Sequence, residues 1–496
     1  MQTVVNYARG GHATSPPVTA KPRRGASVQT VAMACRIGQA RCMFKKVLIA
    51  NRAEVASRIA RTCKRLGAET VAIYSDADLD AVHCHACDEA VRIGPAPLNE
   101  SYLNVAAILS AADATGADAI HPGYGLLSES PEFAQAVIAA GITFIGPAPE
   151  LMSRALDRVA THAMAIAAGV RPVEAGESTV TTLEEASTIA EEIGYPVVVK
   201  TARRGLGVAP EWAQDIEELE RALGRVRQGV RERGGDERMY VERGLELARH
   251  IEVELLADEF GDVIALGERE CSVQRAGHHL VEESPSPAFI GSERAERTRE
   301  GICDAACRIV KEAGLVGASS VEFLIDTRGE AYFLEVRPRL QISHGVTEVC
   351  ANIDIVEGQI CIADGQCIPH DIVRAIPSGH AFEVRLTAEQ VARNFAPATG
   401  EVIEMRWPNA SPGRLRIEAC VQPGSKVGAH YDCTLAKVIT HAPTRHQALL
   451  LMDRVLAECA VHPIPTNAAF LRRILNHEAF RAGHYDTSLV EQLLRK

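Results

Sequence analysis

Several features are scarce or missing in this 496-residue chain, and each absence narrows what it does. No apolar run reaches the ~20 residues of a membrane-spanning helix, so a soluble protein with no membrane partner is expected. Aromatic residues make up only 4%, yet 47% hydrophobic and 24% charged residues are ordinary globular values. The fourteen cysteines lack the regular spacing of a disulfide framework. A chain of this length folds without such staples, so reduced thiols in a cytosol-like compartment are expected. Cys84-x-x-Cys87 has a metal-like spacing, but no second cysteine pair lies nearby, and a zinc site there is not the expected reading. Acids are absent from residues 1–42, which hold six Lys/Arg; the remainder carries 47 basic and 64 acidic residues, a net of −17. An acidic body of this kind is a poor nonspecific ligand for nucleic acid.

What is present starts with length, which sets a prior of two to four domains. Residues 1–43 read as a disordered basic tail: either an acid-poor targeting peptide or a start assigned too early, with Met43 the favoured start. From 44 to 157, buried runs such as VLIA and TVAIYS alternate with amphipathic helices such as EVASRIARTCKRLG, the pattern of a doubly wound parallel sheet. The turn Asn51-Arg52-Ala53-Glu54 after the first strand is where such sheets bind ligands. It lacks the glycines of a dinucleotide fingerprint, which argues against NAD. A second unit follows over 158–375, in which YPVVVK ends at Lys200 and long strands dominate after residue 246. Short strands and two helices, around ALLLMDRVLAEC and AAFLRRIL, fill 376–496. No internal repeat or low-complexity linker appears after residue 43.

The richest stretch is SSVEFLIDTRGEAYFLEVRPRLQISH, Ser319 to His344. Two β-branched and aromatic runs flank the turn-prone Asp326-Thr327-Arg328-Gly329, which reads as a β-hairpin. With Arg328 and Gly329 as a two-residue loop, Glu322 faces Glu335. Opposed carboxylates repel and call for a cation between them. Two readings stay open at this point. One is a divalent ion with oxygen ligands, most simply Mg²⁺ carrying phosphates. The other is a solvated edge hairpin in which Arg337 neutralises the pair. Alternation puts Arg337, Arg339, Gln341 and Ser343 on the face of Glu335.

Together with KKVLIANRAEVASRI, AIHPGYGLLSES, FIGP, ECSVQR, FLEVRPR, GHAFEVRLTAE and PIPTN, this stretch makes residues 44–493 resemble biotin carboxylase, an ATP-grasp enzyme. The resemblance implies an N-terminal doubly wound domain over 44–157 and an ATP-grasp domain over 158–375 with a mobile lid at about 175–245. A C-terminal α/β domain over 376–496 completes it. It also implies ATP with Mg²⁺ (or Mn²⁺), bicarbonate, and biotin carried on a separate carrier protein, since no Met-Lys-Met attachment site is present. The implied partners are that carrier and a carboxyltransferase, as the subunit of an acyl-CoA carboxylase in the cytoplasm or an organelle. A homodimer or heterodimer is implied too, with Arg58 and Arg61 near its interface.

Residue by residue, the resemblance implies phosphate contact by Lys200 and by Arg158, which replaces a lysine. Glu242, Arg243, Leu245, His250, Leu324 and Ile464 are implied around the nucleotide, and Gln274 for ATP and bicarbonate. Glu322 and Glu335 are the implied metal ligands. Arg339 would bind bicarbonate, and Arg385 would stabilise the enolate-like biotin.

Five departures fall on that chemistry. Ser343 stands where the family has the glutamate that deprotonates bicarbonate, and losing a general base costs ~10²–10⁴-fold. Arg337 replaces a metal-binding asparagine; a guanidinium does not coordinate Mg²⁺ but is able to bridge the two glutamates itself. His279 replaces a lysine and Gly277 a histidine near the carboxylation site. The glycine run after Lys200 becomes Thr201–Pro210 with two glycines, where Arg203 and Arg204 would grip phosphates electrostatically. The expected function is biotin carboxylation with weakened activity. Two alternatives stand beside it: a degenerate paralogue acting as a regulatory or structural partner, and an ATP-grasp ligase for another acid.

Overall fold

The computed structural model describes residues 44–205, 207–409 and 413–495. The expectations for residues 1–43, a disordered tail and a start at Met43, lie outside the described residues, as does Leu206 in the loop after Lys200.

The first layer is a five-stranded parallel sheet. Its strands are β1 (Lys46–Ile49), β2 (Glu69–Ser75), β3 (Glu89–Gly94), β4 (Ala119–His121) and β5 (Thr143–Phe144), in the order β3-β2-β1-β4-β5. Helix α1 (Ala53–Leu66) buries Val55, Ile59, Cys63 and Leu66, spaced to form one face, and stops at Gly67 in the left-handed region with φ +89°. The turn before α1 is not an open ligand crevice. Asn51 Nδ2 donates to the carbonyls of Pro122 (2.7 Å) and Tyr124 (2.8 Å), and Arg52 is paired with Asp78 at 2.7 Å and stacked on Tyr431. Glu54 accepts from Tyr124 and from the Cys420 thiol, so the turn ties the first sheet to the C-terminal part.

A small antiparallel sheet follows, with β6 (Val197–Thr201) between β7 (Glu211–Ala213) and β8 (Met239–Arg243). It is backed by helices Leu183–Ile193 and Ile216–Glu232, the first opened by a Thr182–Glu185 capping box.

The third layer carries the site. It is one eight-stranded antiparallel sheet. Strands β9 (Arg249–Ala257), β10 (Val263–Arg275), β11 (His278–Ser284), β12 (Gly317–Ile325), β13 (Ala331–Arg337) and β14 (His380–Thr387) run in the order β13-β12-β9-β10-β11-β14. Strands Thr434–Ala442 and Leu415–Ala419 finish it, so the sheet crosses the boundary read near residue 375. Helix Glu293–Ala313 covers β9, β10 and β12, and helices Arg445–Glu458 and Ala468–Leu475 cover the C-terminal strands. Among the described residues no helix is long and apolar enough to cross a membrane.

Candidate active site

The hairpin β12–β13 has Glu322 directly opposite Glu335, as its sequence predicts, but by a different route. The loop is longer than two residues: Asp326 N–H donates to the Glu330 carbonyl and Gly329, at φ +82°, closes a three-residue turn. That turn pairs Leu324 with Tyr332. A bulge at Leu334 then shifts the register by one and restores the Glu322–Glu335 pairing.

The cation between the carboxylates is Arg337. Its Nε donates to Glu322 Oε1 at 3.0 Å, and its Nη2 contacts Glu335 Oε1. Glu335 is further held by Arg158 Nη1 (2.9 Å) and Arg204 Nη1 (3.4 Å), and Glu322 by His250 Nε2 (3.0 Å) and Gln341 Nε2 (3.5 Å). Both carboxylates are 4% exposed, so these pairs act in a low-dielectric interior. Burial alone would raise the Glu335 carboxyl, but Arg337, Arg204 and Arg158 hold it well below the usual range. Burial and the facing Glu335 would likewise raise Glu322, and Arg337 and His250 outweigh them. Arg204 is a correction to the expected phosphate grip. It is inserted beneath β13 at 4% exposure, also donates to the Ala155 carbonyl, and burial lowers it to about 10. Arg203 remains at the surface, 3.6 Å from Glu132.

On the side of β6 and β8, Lys200 is paired with Glu242. Glu242 lines a cleft with Arg158, His162, Tyr240 and Phe333, and Arg243 and Leu245 line a neighbouring one with Arg171 and Tyr332. Leu324, half-buried, lies two residues beyond Glu322 on the same face of β12. Ile464 is packed with Leu386, Val402 and Leu435 in a C-terminal apolar cluster.

Beyond Arg337 the strand ends, so the alternation predicted through Ser343 does not extend that far. A turn into helix His344–Ala351 still brings the side chains together. Gln341 reaches Ser320 Oγ (2.8 Å), Arg339 Nη1 donates to Gln341 Oε1 (2.5 Å), and Ser343 Oγ donates to Glu252 Oε2 (3.3 Å). Arg385 Nη2 donates to Glu282 Oε1 at 2.5 Å. Gln274 faces His279 across β10–β11, whose two-residue turn is Ala276-Gly277, both at positive φ (+48° and +77°).

Three comparisons with known proteins bear on this arrangement. Family models match residues 43–152 as biotin carboxylase, N-terminal domain; 157–371 as carbamoyl-phosphate synthase L chain, ATP binding domain; and 383–492 as biotin carboxylase C-terminal domain. Biotin carboxylase 1 of Bacillus subtilis is 40% identical over 450 residues, covering 90% of this chain and 98% of that protein. The chain belongs to the biotin carboxylase family. A rice (Oryza sativa) relative, methylcrotonoyl-CoA carboxylase subunit alpha, is 42% identical over 449 residues, which span 90% of this chain but only 60% of that longer protein. The solved biotin carboxylase–βγ-ATP complex of Campylobacter jejuni superposes with a TM-score of 0.86 at 35% identity, covering 90% of this chain and 99% of that one. The biotin carboxylase domain of Hydrogenobacter thermophilus 2-oxoglutarate carboxylase, solved with MgADP, ADP and bicarbonate, gives 0.86 at 36% identity over 91% and 98%.

Within this biotin carboxylase fold the donors do not fit the expected Mg²⁺. Mg²⁺ requires near-octahedral oxygen ligation. Here the carboxylate oxygens are taken up by guanidinium, imidazole and amide donors, and the third expected ligand position holds Arg337. Arg58 is likewise turned inward, bonded to Glu348 (2.6 Å) and Asp354 (2.7 Å), which leaves Arg61 as the exposed residue of the pair. No metal group forms at Cys84 and Cys87 among the described residues. His83 is engaged by the Ala53 N–H and the Ile73 carbonyl, and burial pushes the two thiols up to about 11 and 12.

Sequence reasoning missed Glu129, whose Oε1 lies 3.8 Å from Arg337 and 3.6 Å from Arg339, although it falls within the quoted stretch AIHPGYGLLSES. It also missed Glu252. There a signal existed: HIEVELLAD places His250, Glu252 and Glu254 on one face of a buried strand.

Proposed function

We propose that this chain is a biotin carboxylase-like subunit of an acyl-CoA carboxylase, working with a carrier protein and a carboxyltransferase on other chains, and that its bicarbonate activation and biotin carboxylation are weakened. The observation that carries the reading is Arg337 lying between Glu322 and Glu335. A fixed guanidinium there supplies the positive charge that the family draws from a metal ion. It does so without the open coordination positions a metal offers to phosphate oxygens. ATP then meets Lys200 and Arg158 on its phosphate side and the clefts lined by Glu242, Arg243 and Leu245 on the other.

Anion binding is better supported than proton removal. Arg339 Nε and Arg385 Nε are buried without a hydrogen-bond partner, which leaves spare donors for bicarbonate and for a developing biotin oxyanion. Ser343 is fully buried and donates to Glu252, and a neutral hydroxyl is too weak a base to take the proton of bicarbonate. The test is bicarbonate-dependent ATP turnover with a biotinylated carrier protein. The expected rate is far below ~1 s⁻¹, the low end of ordinary enzymes, and a rate at or above that value defeats the reading. Calorimetry with ATP is expected to give binding that depends little on Mg²⁺. The same Arg337 bridge favours the partner reading where turnover is nil, and co-purification with an active biotin carboxylase supports it.

A further inference from the structure

His250, Glu252 and His279 each offer one ligand atom, and these atoms all lie within 4.8 Å of one another, making the only such group of three or more among the described residues. The fold builds the cluster deliberately enough to be traced. His250 and Glu252 are two apart on β9 and share a face. His279 enters from β11, held in register by the Ala276-Gly277 turn, until its ring meets that of His250 edge-on at 5.2 Å. At the position of His279 the resemblance puts a lysine, whose ammonium has donors only and ligates nothing.

The geometry points to a metal site at His250, Glu252 and His279 that takes one divalent cation of the zinc class. Two imidazoles and a carboxylate suit Zn²⁺, Co²⁺ or Fe²⁺ and disfavour Mg²⁺, which wants oxygen alone. His250 and Glu252 also have outer partners of the kind that orient metal ligands. His250 Nε2 is fixed on Glu322 Oε2 at 3.0 Å. Glu252 Oε2 accepts from Arg269 Nη2 (2.9 Å) and Ser343 Oγ (3.3 Å), which leaves Oε1 turned towards His279 Nδ1 at 3.9 Å. Glu282, anchored by Arg385, stands 3.5 Å from His279 Nδ1. With metal–ligand bonds of about 2.0–2.2 Å, tetrahedral neighbours sit about 3.4 Å apart, so the ring and carboxylate close by roughly half an ångström. Three protein ligands leave a position for water or an anion. The site stands whether or not carboxylation is weakened, because it uses neither Arg337 nor a bound nucleotide.

The full chain, stripped of metal with a chelator, is titrated with Co²⁺. The expected result is one equivalent bound with visible d–d bands and no thiolate-to-cobalt charge-transfer band. Zn²⁺ displaces it and a large excess of Mg²⁺ does not. His279→Lys puts a donor-only side chain beside Glu252 and Glu282 and so removes a ligand, and is expected to weaken Co²⁺ binding by ~10²-fold with an unchanged melting curve. His279→Asn serves where the lysine variant does not fold. Absence of d–d bands in the unaltered chain, a thiolate band, or unchanged affinity in either folded variant overturns the site.

Discussion

Glu335, Glu322 and Glu252 form one row across β13, β12 and β9, each paired with the next, and Arg269 on β10 continues it. The two ends of this row deal with the same problem differently. At the outer end, Arg337, Arg158 and Arg204 hold Glu322 and Glu335 with guanidiniums that stay charged at any working pH. At the inner end, Glu252 faces one guanidinium, Arg269, and two imidazoles. An imidazole nitrogen carries a lone pair that ligates a metal ion, which a guanidinium does not. The outer end is therefore closed by permanent charge, while the inner end keeps side chains of the kind that ligate a metal. On the reading proposed above, the capacity to hold a metal lies at the inner end of this row and not at the outer one.

The largest effect comes from reopening the outer end. Arg337→Asn combined with Ser343→Glu removes the bridging guanidinium and supplies a base beside Arg339. Bicarbonate-dependent ATP turnover is expected to rise by ~10²–10⁴-fold and to become Mg²⁺-dependent. A double variant no faster than the unaltered chain means that Arg337 is not what closes this end.

Glu335→Ala tests the closure from the other side. It leaves the buried Arg204 facing Arg158 and Arg337 without their shared carboxylate, and breaking a buried ionic cluster this way costs about 3–5 kcal/mol. Urea unfolding reads that loss. A cost under about 1 kcal/mol, the range of surface pairs, would mean that solvent screens the outer end after all.

Another buried carboxylate, Glu283, shows what a purely structural hub looks like. His380 (2.6 Å), a two-pronged Arg445 (2.7 and 2.8 Å) and Tyr485 all donate to it. Burial would raise its carboxyl, but His380 and Arg445 bring it from 4.5 down to about 2. Because the folded value is depressed, its contribution is complete above pH 4.5 and is lost as pH falls from there towards about 2. Glu283→Gln is expected to cost up to roughly 3 kcal/mol at pH 7 and nothing at the acid end of that window. Stability curves of the two proteins that stay parallel down to pH 2 would refute this.

Much of this was legible beforehand. The hairpin, the facing glutamates and the conflict at Arg337 follow from alternation and charge. Helix Ala468–Leu475 coincides with the apolar run AAFLRRIL. What was not legible depends on contacts far apart in the chain. Arg204 reads as a surface phosphate grip because nothing nearby in sequence shows that β13 lies above it, 131 positions on at Glu335. Glu129 meets Arg337 and Arg339 only through packing of the first sheet's loops against the third layer. The loop is one residue longer than its sequence suggests and the bulge at Leu334 offsets the difference, so the Glu322–Glu335 pairing depends on both features.

The smallest effect isolates the inner end. Gly277 sits at φ +77° in the turn before His279, and a Cβ added there meets nothing within 4 Å. The substitution Gly277→Ala therefore costs only backbone strain, about 1 kcal/mol, with no steric displacement of β11. Cobalt affinity should fall no more than the melting curve accounts for, because the pairing Gln274↔His279 is fixed by the ladder as well as by the turn. A loss of Co²⁺ binding much larger than the loss of stability would show that the turn itself aims His279. The inner end would then be set by one glycine rather than by the sheet.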